Sequence, residues 1–121
     1  MVMVRTFRDL VAWQKLMALA KLLYRETKVM PADERFGLTS QMRRAAVSIP
    51  SNIAEGHARQ SRADYIRFLR MARGSLAELA TQVELARSLE MMTPSDALSD
   101  VLEETDRVLQ GLIRSLEKKP T

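Results

Sequence analysis

An all-α fold, an up-down-up-down antiparallel four-helix bundle, is predicted by three observations. Apolar residues recur at steps of three and four in four separate stretches, which is the period of a helix with one buried face. Glycine and proline number only four each, too few for a many-turned β architecture. The joints between the periodic stretches are short, and short joints place consecutive helices side by side in opposite directions. The chain has 121 residues, 46% of them hydrophobic. That suffices for one real core but not two, so residues 1–121 are expected to form a single domain.

The first helix is expected over about 9–29, with Asp9 as its cap and Met30-Pro31 as its stop. Leu10, Trp13, Met17, Ala20 and Tyr24 form one apolar stripe, and Ala12, Leu16, Leu19 and Leu23 form a second. Two stripes on one helix imply several packing neighbours, including another subunit. The second helix is placed over 38–57, with Leu38, Met42, Ala46, Ile49 and Ile53 on its core side. Pro50 falls inside it, removing one N–H and freeing the carbonyl of Ala46 at a cost of roughly 3 kcal/mol. Because the apolar spacing stays in phase across Pro50, a bent continuous helix is expected.

The third helix is assigned to 61–90, capped by Ser61 with Asp64 at the capping-box position. Its seam of Tyr65, Leu69, Ala72, Leu76, Leu79, Val83 and Ala86 alternates +4 and +3 throughout. Gly74, inside this strong helix former, is expected to mark a close backbone approach. The fourth helix is assigned to 94–118, with Thr93 as cap, Pro94 at the first helical position and Asp96 returning the bond. Leu98, Val101, Thr105, Val108 and Leu112 carry its apolar face, with Leu102, Leu109, Ile113 and Leu116 alongside.

Chemistry-bearing residues are sparse. There is no cysteine, so disulfides and thiolate metal sites are excluded, and a reducing, cytoplasmic home is expected. The N-terminal stretch lacks the apolar core of a signal peptide, and charges interrupt the apolar run that follows, so no membrane association is expected. His57 is the only histidine. It has no imidazole partner for a metal, and a catalytic set with Ser51 or Ser61 and Glu55 needs no more than chance to explain it. An exposed, helix-terminal histidine is expected instead. Asp33-Glu34 sits in a turn, and Asp100, Glu103 and Glu104 share a polar helix face without the Glu-x-x-His spacing of a di-iron bundle. No catalytic residue, metal or cofactor is expected.

Charge is the remaining signal. The formal charge is +4, and 14 of the 19 cations are arginine. Residues 1–73 carry 14 Lys/Arg against 6 Asp/Glu, whereas residues 74–121 carry 5 against 9. On the second helix, Gln41, Arg44, Ser48, Asn52, Glu55 and Arg59 follow at +3 or +4 as a polar stripe. That stripe is either a ligand-reading surface or a set of structural ties, with Asn52 and Glu55 satisfying groups freed by Pro50 and binding a neighbouring helix. On the third helix, Arg62, Arg67, Arg70 and Arg73 occupy one flank, with Ile66 among them. Such a ridge suits either phosphates or the acids of a neighbouring subunit.

Three strings, read together, resemble a known group. They are Phe7-Arg8-Asp9-Leu10 with Trp13-Gln14, the run from Phe36 to Gly56 that includes Ser48-Ile49-Pro50-Ser51-Asn52-Ile53-Ala54-Glu55-Gly56, and Gly74-Ser75-Leu76-Ala77-Glu78-Leu79. The chain closely resembles the four-helix-bundle proteins encoded in intervening sequences of bacterial 23S rRNA genes, from Phe7 to about Met92. The resemblance implies an all-helical protein assembling into a ring-like homo-oligomer, a pentamer, with no catalytic residues. It also implies a relation to the basic accessory variability proteins of diversity-generating retroelements, thought to engage nucleic acid and a reverse transcriptase.

Two function classes follow. In the first, a non-enzymatic homo-oligomer binds RNA or DNA through Arg43, Arg44, Arg59, Arg62, Arg67, Arg70 and Arg73. In the second, an interaction scaffold uses the same arginines against Glu103, Glu104 and Asp106 of neighbouring subunits, or against a protein partner.

Overall fold

The computed structural model describes residues 4–118. Four α-helices span Val11–Glu26 (α1), Leu38–His57 (α2), Arg62–Ser88 (α3) and Asp96–Glu117 (α4), with short 3-10 turns at Phe7–Asp9, Thr27–Val29 and Ala32–Glu34. Each helix packs against its sequence neighbours, and α4 closes the bundle against α1. Pairings between α1 and α4 run in opposite sequence directions, Lys15 to Glu104 at one level and Glu26 to Ser95 at another. The same holds for α3 and α4, where Arg73 meets Asp106 and Arg70 meets Glu117.

The core is the expected one for α2, whose five apolar-stripe residues are all buried. In α3 the seam is buried from Leu69 to Ala86, while Tyr65 is half-buried. In α1, only the second stripe, Ala12, Leu16, Leu19 and Leu23, reaches the core in full. Of the first stripe Ala20 alone is buried, and Tyr24 remains 42% exposed.

Several helix ends differ from their sequence assignments, each for an identifiable reason. Asp9 does not cap α1. Its carboxylate accepts from the backbone N–H of Arg5 at 2.8 Å and of Thr6 at 3.2 Å, closing a capping box with Thr6 around the Phe7–Asp9 turn. Those N–H donors hold the Asp9 carboxyl below its usual range. Consequently α1 starts at Val11, and it gives way at Thr27 to a 3-10 turn.

Thr93 and Pro94 lie outside α4. Ser95 is the cap, its hydroxyl accepting from the N–H of Leu98 at 3.0 Å. Ser95 is held in turn by Glu26 at the end of α1, which accepts from its backbone N–H at 2.9 Å and from its hydroxyl. α3 ends at Ser88 because Glu90 takes a positive φ of 60°. The N–H of Met91 then reaches the carbonyl of Ala86, and that of Glu90 reaches Arg87, completing a Schellman closure without glycine.

α2 is continuous across Pro50, which is buried. Side chains flank the proline: Ser48 donates to the carbonyl of Ala45, Ser51 to Val47 and Asn52 to Ser48, at 2.8, 2.8 and 2.9 Å. None of the three reaches the carbonyl of Ala46, the one the proline leaves unpaired. At the start of α2, Glu34 accepts from the N–H of Leu38 at 3.0 Å. Gly37 permits this approach, since a Cβ there would stand 2.8 Å from the Glu34 oxygen.

Candidate nucleic-acid interface

The seven candidate arginines do not form one surface. Arg43 is half-buried at the α1–α2 corner, where its Nε donates to the Thr27 hydroxyl at 3.0 Å and its guanidinium lies 4.7 Å from the Tyr24 ring centre. It is a structural bracket. Arg44 is exposed and, among the described residues, forms no ion pair, but it stands roughly four turns of α2 away from Arg59.

Arg70 and Arg73 bridge to α4. Arg70 pairs with Glu117, and the Nε of Arg73 donates to Asp106 at 2.9 Å. The other oxygen of Asp106 accepts from Gln110, whose amide oxygen accepts from Arg114. Lys15 of α1 engages Glu104 and holds that carboxyl below its usual range, mainly through the hydrogen bond between them. Two of the three acids expected to meet a neighbouring subunit, Glu104 and Asp106, are thus occupied inside the chain.

The remaining arginines gather where α2 hands over to α3. Arg59 and Arg67 both lie against the buried Phe68 ring, 4.9 and 4.7 Å from its centre. Contact with the ring holds each guanidinium in place while leaving N–H groups for hydrogen bonding. Arg59 also pairs with Glu55 at 3.1 Å, and Arg67 approaches Asp64 at 3.6 Å. Arg62, at the first position of α3, is exposed and has no acidic partner among the described residues. Exposed pairs of this kind contribute only about 0–1 kcal/mol and give way readily to a phosphate.

The hairpin end itself is rigid. A Cβ at Gly56 would stand 2.7 Å from the Cβ of Phe68 and 3.3 Å from the carbonyl oxygen of Tyr65, so glycine there lets α2 and α3 touch. Ser61 caps α3, accepting from the N–H of Asp64 at 3.0 Å. His57 is half-buried rather than exposed, edge-on to Tyr65 with ring centres 5.7 Å apart. The Tyr65 hydroxyl oxygen is buried without a hydrogen-bond partner, and burial raises its pKa. Ser51, Ser61 and Glu55, the groups that would complete a catalytic set, are engaged locally: Ser51 bonds within α2, Ser61 caps α3 and Glu55 pairs with Arg59.

The polar stripe resolves as a local feature of α2. Gln41 is exposed, Ser48 and Asn52 bond to carbonyls of their own helix, and Glu55 pairs with Arg59 four residues on. Neither Asn52 nor Glu55 hydrogen-bonds to a neighbouring helix, whereas Arg59 of the same stripe lies against Phe68 of α3.

A four-helix chain with this hairpin matches one protein family over residues 8–114, that of the 23S rRNA-intervening sequence protein. The chain belongs to that family. The match spans all of α1, α2 and α3 and most of α4. A search of curated proteins finds no match. Among the described residues, no group of acids and histidine is arranged to hold a metal, and no helix is long and apolar enough to cross a membrane.

Two open surfaces complete the family member's exterior. One lies between α1 and α2, where Trp13, Met17, Tyr24, Val47 and Pro50 line an apolar hollow of about 540 Å³. These are mostly the first-stripe residues of α1 that the core leaves unused. The other is a groove of about 750 Å³ between α3 and α4, with Gly74, Ala77 and Ala80 along it and Leu76 and Leu102 at its sides. Nothing lies within 4 Å of where a Cβ on Gly74 would stand, so this glycine marks open space and not a close backbone approach.

Proposed function

We propose that this chain is a non-enzymatic, homo-oligomeric protein that binds nucleic acid through Arg59, Arg62 and Arg67 at the α2–α3 end. The observation that supports this most directly is the contact of Arg59 and Arg67 with one phenylalanine, at the helix end where Arg62 is exposed and unpaired among the described residues. Three guanidinium groups at one helix end present donors suited to phosphates. No base-reading element accompanies them, so the binding is largely insensitive to sequence. Arg70 and Arg73, paired with α4, contribute less, and Arg43 contributes nothing. Assembly uses the apolar hollow between α1 and α2, which places a ring, a pentamer by resemblance, on the face away from α3 and α4.

Fluorescence anisotropy against structured RNA and duplex DNA across a salt series tests the reading. Replacing Arg59, Arg62 and Arg67 together with alanine is expected to abolish low-salt binding, or to reduce the salt slope by about 2 to 3 phosphate equivalents. The Arg70/Arg73 double substitution should cost less. Absence of binding by the natural protein at low salt, or equal losses from the two sets, would refute it. Val47→Glu should lower the assembly mass in light scattering if the α1–α2 hollow is the subunit contact.

A further inference from the structure

The exposed face of α4 is segregated by charge. Asp96, Asp100 and Glu103 occupy its first half, and Arg107 and Arg114 its second, with Lys118 just past its end, all within roughly a quarter-turn of one another around the helix axis. Among the described residues none of these six forms an ion pair, although Lys15, Arg70 and Arg73 engage the acids on the helix's other sides. Arg114 is held in place by the neutral amide of Gln110, leaving its charge uncompensated.

Such a face is complementary to itself when reversed. We infer that α4 is a twofold self-association surface, on which a second copy's α4 lies antiparallel with Asp96 against Arg114 and Glu103 against Arg107. The two pairings share one register, because 96 and 114, and 103 and 107, are centred on the same residue, Thr105. Each pairing occurs twice in an isologous contact, giving four ion pairs from two.

The surroundings of the face fit this occupant. Gly111 lies on a flank of the same face, and nothing lies within 4 Å of where a Cβ on it would stand. Glycine inside a helix costs about 1 kcal/mol relative to alanine, and nothing in the chain's own packing calls for it at 111. Half-buried Leu102 borders the adjoining groove, supplying apolar surface for the second helix to cover. α1 of a second copy is a poorer occupant, since Lys21 and Arg25 on its exposed side would face Arg107 and Arg114. This contact is independent of the α1–α2 assembly proposed above, and it doubles whatever unit that face forms.

Charge reversal in the full chain tests both surface and register, read by sedimentation or light scattering at low and high salt. The natural protein is expected to show a doubling step that weakens about tenfold or more between low and high salt. Asp96→Arg and Arg114→Asp should each abolish that step, and the double variant carrying both should restore it. Within one chain these residues are about 27 Å apart along the helix, so rescue cannot be intramolecular. Circular dichroism melts check that each variant folds.

The inference is overturned if the natural protein shows no salt-sensitive doubling at micromolar concentration. It is equally overturned if the single variants double normally, or if the double variant fails to recover while still folded. Loss of RNA binding in Arg114→Asp with assembly unchanged would instead assign this face to nucleic acid. Val47→Glu reports on the α1–α2 contact alone, so the two associations fail separately.

Discussion

Two glycines on opposite sides of α3's surroundings divide the molecule. Gly56 sits where α2 meets α3, and a Cβ there would strike Phe68 and Tyr65. Gly74 sits on α3 beside α4 with empty space around it. The first interface is closed by direct helix contact and a continuous buried seam, Ile49 and Ile53 against Leu69, Ala72 and Leu76. The second is spanned by exposed ion pairs over an open groove. The contrast teaches that α2 and α3 are closed by direct packing, while the α3–α4 side, although Leu98, Leu109 and Ile113 of α4 join the common core, keeps open surface for contacts outside the chain.

The largest expected effect lies in the closed interface. Leu69→Ala, at a fully buried position, should lower unfolding free energy by about 3 kcal/mol in a denaturant titration. A loss under 1 kcal/mol would mean that the seam is not the main source of stability. Gly56→Ala comes next, at about 2 kcal/mol of destabilisation, because the clashing atoms include backbone and a Cβ that cannot rotate away. Were it neutral, α2 and α3 would have to be free to separate.

On the open side the sign reverses. Gly74→Ala should stabilise the monomer by about 1 kcal/mol, through helix propensity alone and without steric cost. A destabilising outcome in thermal melts would show that something occupies the groove. Smaller still, a double-mutant cycle on Arg73 and Asp106 should return a coupling of about 0.5 kcal/mol, since both groups are largely exposed. A coupling several times larger would make that bridge part of the core.

The smallest effect is in pH dependence. The carboxyls of Glu104, Asp9 and Glu84 are held below their usual range by Lys15, by backbone N–H groups and by Arg87 respectively. Their contribution is therefore present above the unfolded-state pKa and is lost as pH falls below about 4. The melting temperature should decline over that range, and Glu104→Gln should decline less. Identical pH curves for the two proteins would deny the Lys15 bond any role.

Much of the fold was legible because helical periodicity is written residue by residue. Leu38, Met42, Ala46, Ile49 and Ile53 announce their face without reference to anything distant, and Ser61 announces its cap. Thr93-Pro94 misled because it is locally a good start signal. Glu26, more than sixty residues earlier in the chain, selects Ser95 instead. The end of α3 was equally hidden, since Glu90 adopts the left-handed conformation in which sequence reasoning looks for glycine. Of the candidate site, helical phase put Arg62, Arg67, Arg70 and Arg73 on one flank. It could not tell that Arg70 and Arg73 have acids within reach, because those acids belong to α4.

By itself the sequence determined a cysteine-free, four-helix chain, its core stripes and its arginine-rich first part, because these depend on composition and on spacing within single helices. Tertiary structure decided which α1 stripe is buried, that Arg43 is a bracket, that Arg70 and Arg73 are paired, and that Gly74 faces a groove. Each of those outcomes depends on the distance between residues remote in the chain, which no local pattern encodes.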